Sequence, residues 1–256
     1  MREFLTILIL FTLALSGCQE ASRDSASSLD TDIKASDIAP KHDYDRKTNL
    51  NVEMFVTLFQ IPRSQYPDFL VQLDKAQQLK FDYFDEGAFV SNGLITAGGD
   101  KLIWNILAKY FSDTDVIAID KINLRILEGL AEDVEFAEIE KQSNIFYIGT
   151  NNAISAAGFV PGQIALRLRA EPLIGLRQAT KLVVQTVYKP DSNSQSSEFI
   201  FRPVGFSLRL RPGQFFILGP GNIEDKEFYL VDKAYLTESP IPVVKFFVIT
   251  CNLITE

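Results

Sequence analysis

From Val116 to Ile254 the chain repeats one pattern: short runs of alternating or continuous apolar residues, each closed by Asn, Gly, Pro, Asp or Ser. The runs VIAID (116–120), INLRILE (122–128), NIFYIG (144–149), QIALRLRAEPL (163–173), TKLVVQTVYK (180–189), EFIFRPVGFSLRLR (198–211), FFILGP (215–220) and PVVKFFVITCNLI (242–254) all suit strands. Apolar residues at period two fit a pleated, half-buried surface, and the intervening breakers are turn formers. Twenty Phe against two Met and one Trp suit the same architecture, because aromatic side chains pack well on sheets. Residues 116–256 are therefore expected to form a β-rich, largely antiparallel domain.

The segment 50–115 has a different texture. Asn51 to Ile61 alternates Val52, Met54, Val56 and Leu58 with Phe55 and Phe59 on the other side, which predicts a strand buried at least partly on both faces and ended by Pro62. Ser64 to Gln78 places Phe69, Leu70, Leu73 and Ala76 at helical spacing, with Pro67 acceptable in the first turn. LKFDYF and GAFVSNGLI are expected to be two strands split at Asp85-Glu86-Gly87. Gly98 to Asp113 then predicts a second helix with Leu102, Ile103, Ile106, Leu107, Tyr110 and Phe111 on one apolar face. The expected fold class is α+β, a β-α-β-β-α module over 50–115 followed by the β-rich domain.

Ahead of Leu50 lie two segments outside that fold. Arg2 is followed by an apolar run, Phe4 to Leu15, and by the small residues Ser16 and Gly17. About a dozen apolar residues fall short of the ~20 that span a bilayer and match the core of an export signal. Residues 1–17 are read as that signal. Gln19 to Asn49 is rich in Ser, Asp and Lys and poor in large apolar side chains, so 18–49 is expected to be a disordered tether. About thirty residues of such chain have a typical reach of ~30 Å. The single histidine, His42, falls in this tether.

The tetrapeptide Leu15-Ser16-Gly17-Cys18 resembles the lipobox of bacterial lipoproteins. That resemblance implies a diacylglyceryl group on the Cys18 sulfur, cleavage before Cys18 and acylation of the new amino terminus, palmitate being the type of chain expected. It also implies attachment to the cell envelope facing the periplasm. Gln19 stands where some bacteria use Asp for inner-membrane retention, which favours the outer membrane. The partner it implies is the membrane itself.

Two further stretches are similar to secretins, the outer-membrane pores of secretion and pilus systems. Asn92, Leu94, Ile95, Gly98, Leu102, Ile106 and Leu107 occupy positions of their ring-building periplasmic modules. Phe206 to Pro220 and Pro242 to Ile254 look like segments of the secretin core. After the Leu218-Gly219 strand the Val-Pro…Pro-Leu-Gly stretch of that core is missing, with only Ser239-Pro240-Ile241-Pro242 in its place. The likeness thus implies a module type and a tendency to oligomerise, with itself or with other envelope proteins, and not channel activity.

Chemistry is sparse. The net charge of -8 and the lack of clustered Lys and Arg argue against a nucleic-acid partner. No His-Glu-x-x-His, Gly-x-Ser-x-Gly or phosphate loop occurs, and no cofactor or metal is expected. Gly98-Gly99 reads as the turn that opens a helix, Glu132 to Glu140 as a solvated strand or helix edge, and Ser112 to Asp115 as an Asp-x-Asp without the rest of a calcium loop. Arg167 with Arg169, and Arg209 with Arg211, each pair to one side of a strand and form a candidate interaction stripe for an acidic partner or lipid headgroups. Cys251, alternating with Phe247, Ile249 and Leu253, reads as a small buried residue. Pro-Gly-Gln occurs at 161–163 and 212–214, where Pro then Gly suits a type II turn. The function expected is a non-enzymatic structural, assembly or interaction role for a lipid-anchored envelope protein. Its rival is a lipoprotein that binds a small or lipidic ligand against a Phe-rich sheet; a hydrolase working with carboxylates alone is a third.

Overall fold

A computed structural model describes residues 51–173, 178–221, 229–237 and 240–255. The signal, the tether and Cys18 lie outside the described residues. Those described belong to one compact unit, 47–256.

The core is a pair of antiparallel sheets packed face to face. The first sheet has the order β3-β12-β14-β1-β4, from β1 (Asn51–Pro62), β3 (Leu94–Gly99), β4 (Ile117–Leu127), β12 (Phe215–Pro220) and β14 (Val243–Thr255), with the short β13 (Leu236–Thr237) also on β14. The second has the order β2-β11-β9-β8-β5, from β2 (Phe81–Tyr83), β5 (Ala131–Ile139), β8 (Gly162–Pro172), β9 (Thr180–Pro190) and β11 (Phe206–Leu210), with β10 (Phe199–Ile200) on β9. A separate hairpin joins β6 (Ser143–Ile148) to β7 (Ile154–Phe159). The chain is accordingly β-rich and mostly antiparallel.

Alternation explains the inner layer. Met54, Val56, Phe216, Leu218, Phe247 and Ile249 of the first sheet meet Leu166, Leu168, Leu182, Val184, Phe206 and Leu208 of the second. The opposite face of the first sheet carries a second core. There α1 (Tyr66–Asp74) and α3 (Lys101–Ser112) bring Phe69, Leu73 and Leu107 onto Ile61, Phe215, Phe246 and Val248. Burial of both faces follows from two cores sharing one sheet, as the mixed pattern of Asn51 to Ile61 implies.

Residues 50–115 do not stand apart from the later strands. β1 lies between β14 and β4, β3 pairs with β12, and β2 pairs with β11. Each strand of the expected β-α-β-β-α module thus completes its ladder with a partner from beyond residue 115. The local order also differs. Gly87 to Ser91, expected as strand, forms α2 (Glu86–Ser91), because the Asp85 carboxylate accepts from Ala88 N at 2.9 Å and caps a helix start. Gly93, at φ 75°, closes it.

Three bulges reset the alternation. In β5, Phe136 has no register partner, so Val134 and Phe136 point inward and then Ile139 does. β14 skips Asn252, which turns Ile254 inward and leaves Leu253 exposed, whereas strict alternation with Cys251 expected Leu253 inside. β4 skips Ile119, which is exposed.

The two ends of this sandwich differ. At one end α2, the β6–β7 hairpin and α4 (Leu230–Tyr235) contribute Phe89, Ile145, Phe159, Leu230 and Tyr235 to the inter-sheet core and close it. At the other end β1 begins and β14 and β4 finish, with Asn51 opposite both Thr255 and Leu127. Both described corner turns between the sheets, Glu128 to Leu130 and Arg211 to Gln214, lie at this second end.

Candidate functional site

The odd-numbered residues of β8 and β9 form the outer face of sheet two, where Gln163, Arg167, Arg169, Glu171, Lys181, Gln185 and Lys189 are at least partly exposed while Ala165, Val183 and Val187 are covered. The four arginines singled out from sequence all map to this face or its margin, but their surroundings separate them.

Arg167 is held by two carboxylates. Its Nε and Nη2 donate to Asp133 at 2.7 and 2.8 Å, and its Nη1 and Nη2 to Glu198 at 2.5 and 2.6 Å. These are planar, two-pronged contacts of the guanidinium. Burial pushes the Asp133 carboxyl up, but Arg167 and Lys189 together outweigh it and hold the group below its ordinary value. Lys189 also reaches Glu135 at 3.1 Å, and chiefly for that reason its amine is held above the usual lysine range. Arg167 is thus a cross-strand clamp joining β5, β8 and the segment before β10. Four of its five N–H donors are occupied.

Arg169 donates to Glu171 at 2.7 Å, and Lys181 approaches the other oxygen of the same carboxylate at 3.2 Å. Arg209 stands directly across the β9–β11 ladder from Lys181, which in turn faces Glu171 across β8–β9. Arg209 and Arg211 are exposed, and no carboxylate holds them among the described residues. Three strands therefore bring Arg169, Lys181 and Arg209 together, with Arg211 on the adjoining turn, while Arg167 belongs to a separate network. Lys181 and Glu171 were missed in the sequence. The signal was there: Lys181, Gln185 and Lys189 alternate with Leu182, Val184 and Thr186.

The other motifs have structural occupations. Gly98 and Gly99 belong to β3 and do not open the helix; a Cβ on Gly98 would sit 2.7 Å from the Phe215 carbonyl. Asp100 itself caps α3, accepting from Leu102 N at 2.9 Å and Ile103 N at 3.3 Å. Asp115 accepts from Gln65 Nε2 at 2.7 Å and its own N–H donates back to Gln65 Oε1. The acidic run is the edge strand β5. Among the described residues no group of three or more His, Cys, Asp or Glu could hold a metal ion.

Cys251 is fully buried in the inter-sheet core, and burial pushes its thiol up to about 12. Lys245, inside an apolar strand, was also missed. It reaches between the sheets, donates to the bulged Phe136 carbonyl at 3.4 Å, and is held below the usual lysine range by burial. The phenylalanines considered as a pocket wall pack on one another: Phe69 lies 4.4 Å from Phe246, and Phe111 lies 5.2 Å from Phe59.

Comparison of the chain with protein-family models, with curated proteins and with solved structures gives no match.

Proposed function

We propose that this is a lipid-anchored bacterial envelope protein whose β-rich body serves a structural, assembly or interaction role and carries out no catalysis. The observation that carries the proposal is the order at its start: an apolar run of sub-membrane length, Leu15-Ser16-Gly17-Cys18, and a polar tract that precedes the first strand at Asn51. An acyl chain contributes about 0.8 kcal/mol per buried CH₂, so two or three chains at one cysteine hold a water-soluble body stably on a bilayer. Among the described residues no helix is long and apolar enough to cross a membrane.

Two features support an assembly role. The first sheet ends in β4, an eleven-residue edge strand that exposes Ile117 and Ile119, and such edges accept further strands. The secretin-like stretches, Ser91 to Asp113 and Phe206 to Pro220, point the same way.

Mass spectrometry of the mature amino terminus tests the anchor. A diacylglyceryl-modified Cys18 as first residue is the expected result, and Cys18→Ala abolishes fatty-acid labelling and leaves the precursor uncut. An unmodified start elsewhere, with the protein released by salt, overturns the proposal. Native mass after gentle detergent extraction tests assembly: oligomers or a reproducible partner are expected, and a strictly monomeric, partnerless species counts against it.

A further inference from the structure

We infer that Asn92-Gly93 is a self-modification site gated by the fold: inert while the β6–β7 hairpin is docked, it cyclises and loses ammonia when the hairpin lifts, and the modified chain does not dock the hairpin again. The chain has one Asn-Gly pair, and this is it. A glycine leaves the backbone nitrogen after the asparagine uncrowded and free to turn, so that nitrogen can reach the side-chain carbonyl. The step balances with no co-reactant but water. Gly93 N attacks Cγ of Asn92; the new N–C bond forms as the Cγ–Nδ2 bond breaks, and the proton that Gly93 N gives up completes the departing ammonia. Water then opens the five-membered imide at either carbonyl, leaving aspartate or isoaspartate at position 92.

Docked, the pair is kept from this reaction. The Asn92 ψ of 1° eclipses Gly93 N with the Asn92 nitrogen and turns it away from the side-chain branch. Gly93 N donates to Val90 O at 2.8 Å, and Nδ2, the leaving group, donates to both Ala88 O and Ile148 O. Ile148 N donates to Oδ1 and would by itself favour attack, but the nucleophile stands on the wrong side. Asn92 is also buried, which keeps water from it.

The gate is the hairpin. β6 and β7 pair with each other and with neither large sheet; the isolated bridge from Phe146 to Tyr229 and the Asn92 amide fasten their backbone to the body. The hairpin can therefore lift as a local opening that breaks no ladder of the sandwich. Lifting takes Ile148 off the amide and frees Asn92 to rotate. After the reaction a second oxygen stands where Nδ2 donated, against two carbonyls, and isoaspartate adds a backbone atom between α2 and β3. Neither product remakes the three bonds, so the change runs one way and marks a chain whose end cap has opened.

The test incubates the full mature protein at pH 8 beside a synthetic peptide of residues 88–97, and reads isoaspartate-specific methylation and the mass change at position 92. With the lifted hairpin populated at about 1%, the protein is expected to react roughly a hundredfold more slowly than the peptide. Phe159→Ala removes a hairpin ring that packs on Tyr188 and Phe201, and is expected to bring the rate roughly tenfold closer to that of the peptide. Where that variant does not fold, wild type in urea below its unfolding midpoint takes its place. Amide hydrogen exchange over 143–159 is expected to be faster in the modified protein than in the unmodified one. Reaction of the native protein at the peptide's rate overturns the inference, as does a rate that neither Phe159→Ala nor urea moves while exchange over 143–159 quickens. Equal exchange in modified and unmodified protein also overturns it, because the hairpin would then have docked again.

Discussion

Asn92 treats the backbone of Ile148 as a neighbouring strand would: its Oδ1 accepts from Ile148 N at 2.8 Å and its Nδ2 donates to Ile148 O at 2.8 Å. The same Nδ2 donates to Ala88 O at 2.7 Å, so one buried amide ties the end of α2 to the β6–β7 hairpin. Leaving two buried backbone groups unpaired costs about 1–3 kcal/mol each. Asn92→Ala is expected to lower stability by about 3 kcal/mol in urea unfolding. Asn92→Asp keeps the acceptor but turns a second oxygen on two carbonyls, and is expected to be at least as damaging at pH 7. An unchanged midpoint in both would remove Asn92 as the fastener of the hairpin.

The Asp133–Arg167–Glu198 network sets a prediction for acid. The folded-state pKa of Asp133 lies below its unfolded value, so its contribution is complete above an unfolded pKa of about 3.9. That stability is lost as pH falls through the still lower folded pKa. Asp133→Asn removes the titrating group, so wild type and variant are expected to differ most near neutral pH and to converge as the pH falls through the lowered folded-state pKa of Asp133. Arg167→Met leaves two carboxylates facing each other and is expected to cost about 2 kcal/mol at neutral pH. Thermal unfolding from pH 2 to 7 reads both, and parallel profiles for wild type and Asp133→Asn would dismiss the network.

How far the sequence leads is clearest where alternation is clean. Leu182, Val184 and Thr186 against Lys181, Gln185 and Lys189 declare a strand and its outward face. Alternation carries no record of which strand is the neighbour, so nothing local in Asn51 to Pro62 announces β14 as its partner nearly two hundred residues away. Bulges are legible only as faults, as when Val134, Phe136 and Ile139 break period two. Helix faces carry a similar ambiguity. The expected apolar face of α3 includes Leu102 and Ile106, which are 73% and 53% accessible, while Trp104 turns inward to stack edge-on against Phe215. Of the candidate stripe, spacing placed Arg167, Arg169 and Arg209 on strand faces, but it could not show that Asp133 of β5 and Glu198, just before β10, would claim Arg167.

The two Pro-Gly-Gln copies need glycine for different reasons. Gly213 sits at φ 82° with nothing within 4 Å of a built Cβ, and Gln214 N closes the turn onto Arg211 O at 3.0 Å, as a type II turn requires. Gly162 starts β8, and a Cβ there would collide with the Lys189 carbonyl oxygen. Gly213→Ala is expected to cost about 1 kcal/mol, with Gly213→Asn recovering much of it because Asn tolerates positive φ. Gly162→Ala is expected to cost about 3 kcal/mol, and Gly162→Asn more, because there the obstacle is backbone. Equal losses at the two sites in urea unfolding would show that space and dihedral angle had been misassigned.

Cys251 lies in the inter-sheet core opposite Met54 in the β1–β14 ladder, where burial disfavours a thiolate. A thiol pushed up to about 12 is ionised to about one part in ten thousand at pH 8, and it is covered besides. In Cys18→Ser protein, an aromatic disulfide reagent is therefore expected to label Cys251 only as fast as the molecule opens, with the rate rising in step with global unfolding as urea is added. Because the side chain is small and its sulfur makes no polar contact, Cys251→Ala is expected to lose about 1 kcal/mol and Cys251→Ser more, the hydroxyl being buried among apolar neighbours. Rapid labelling in native buffer would mean that the two sheets part locally around Cys251.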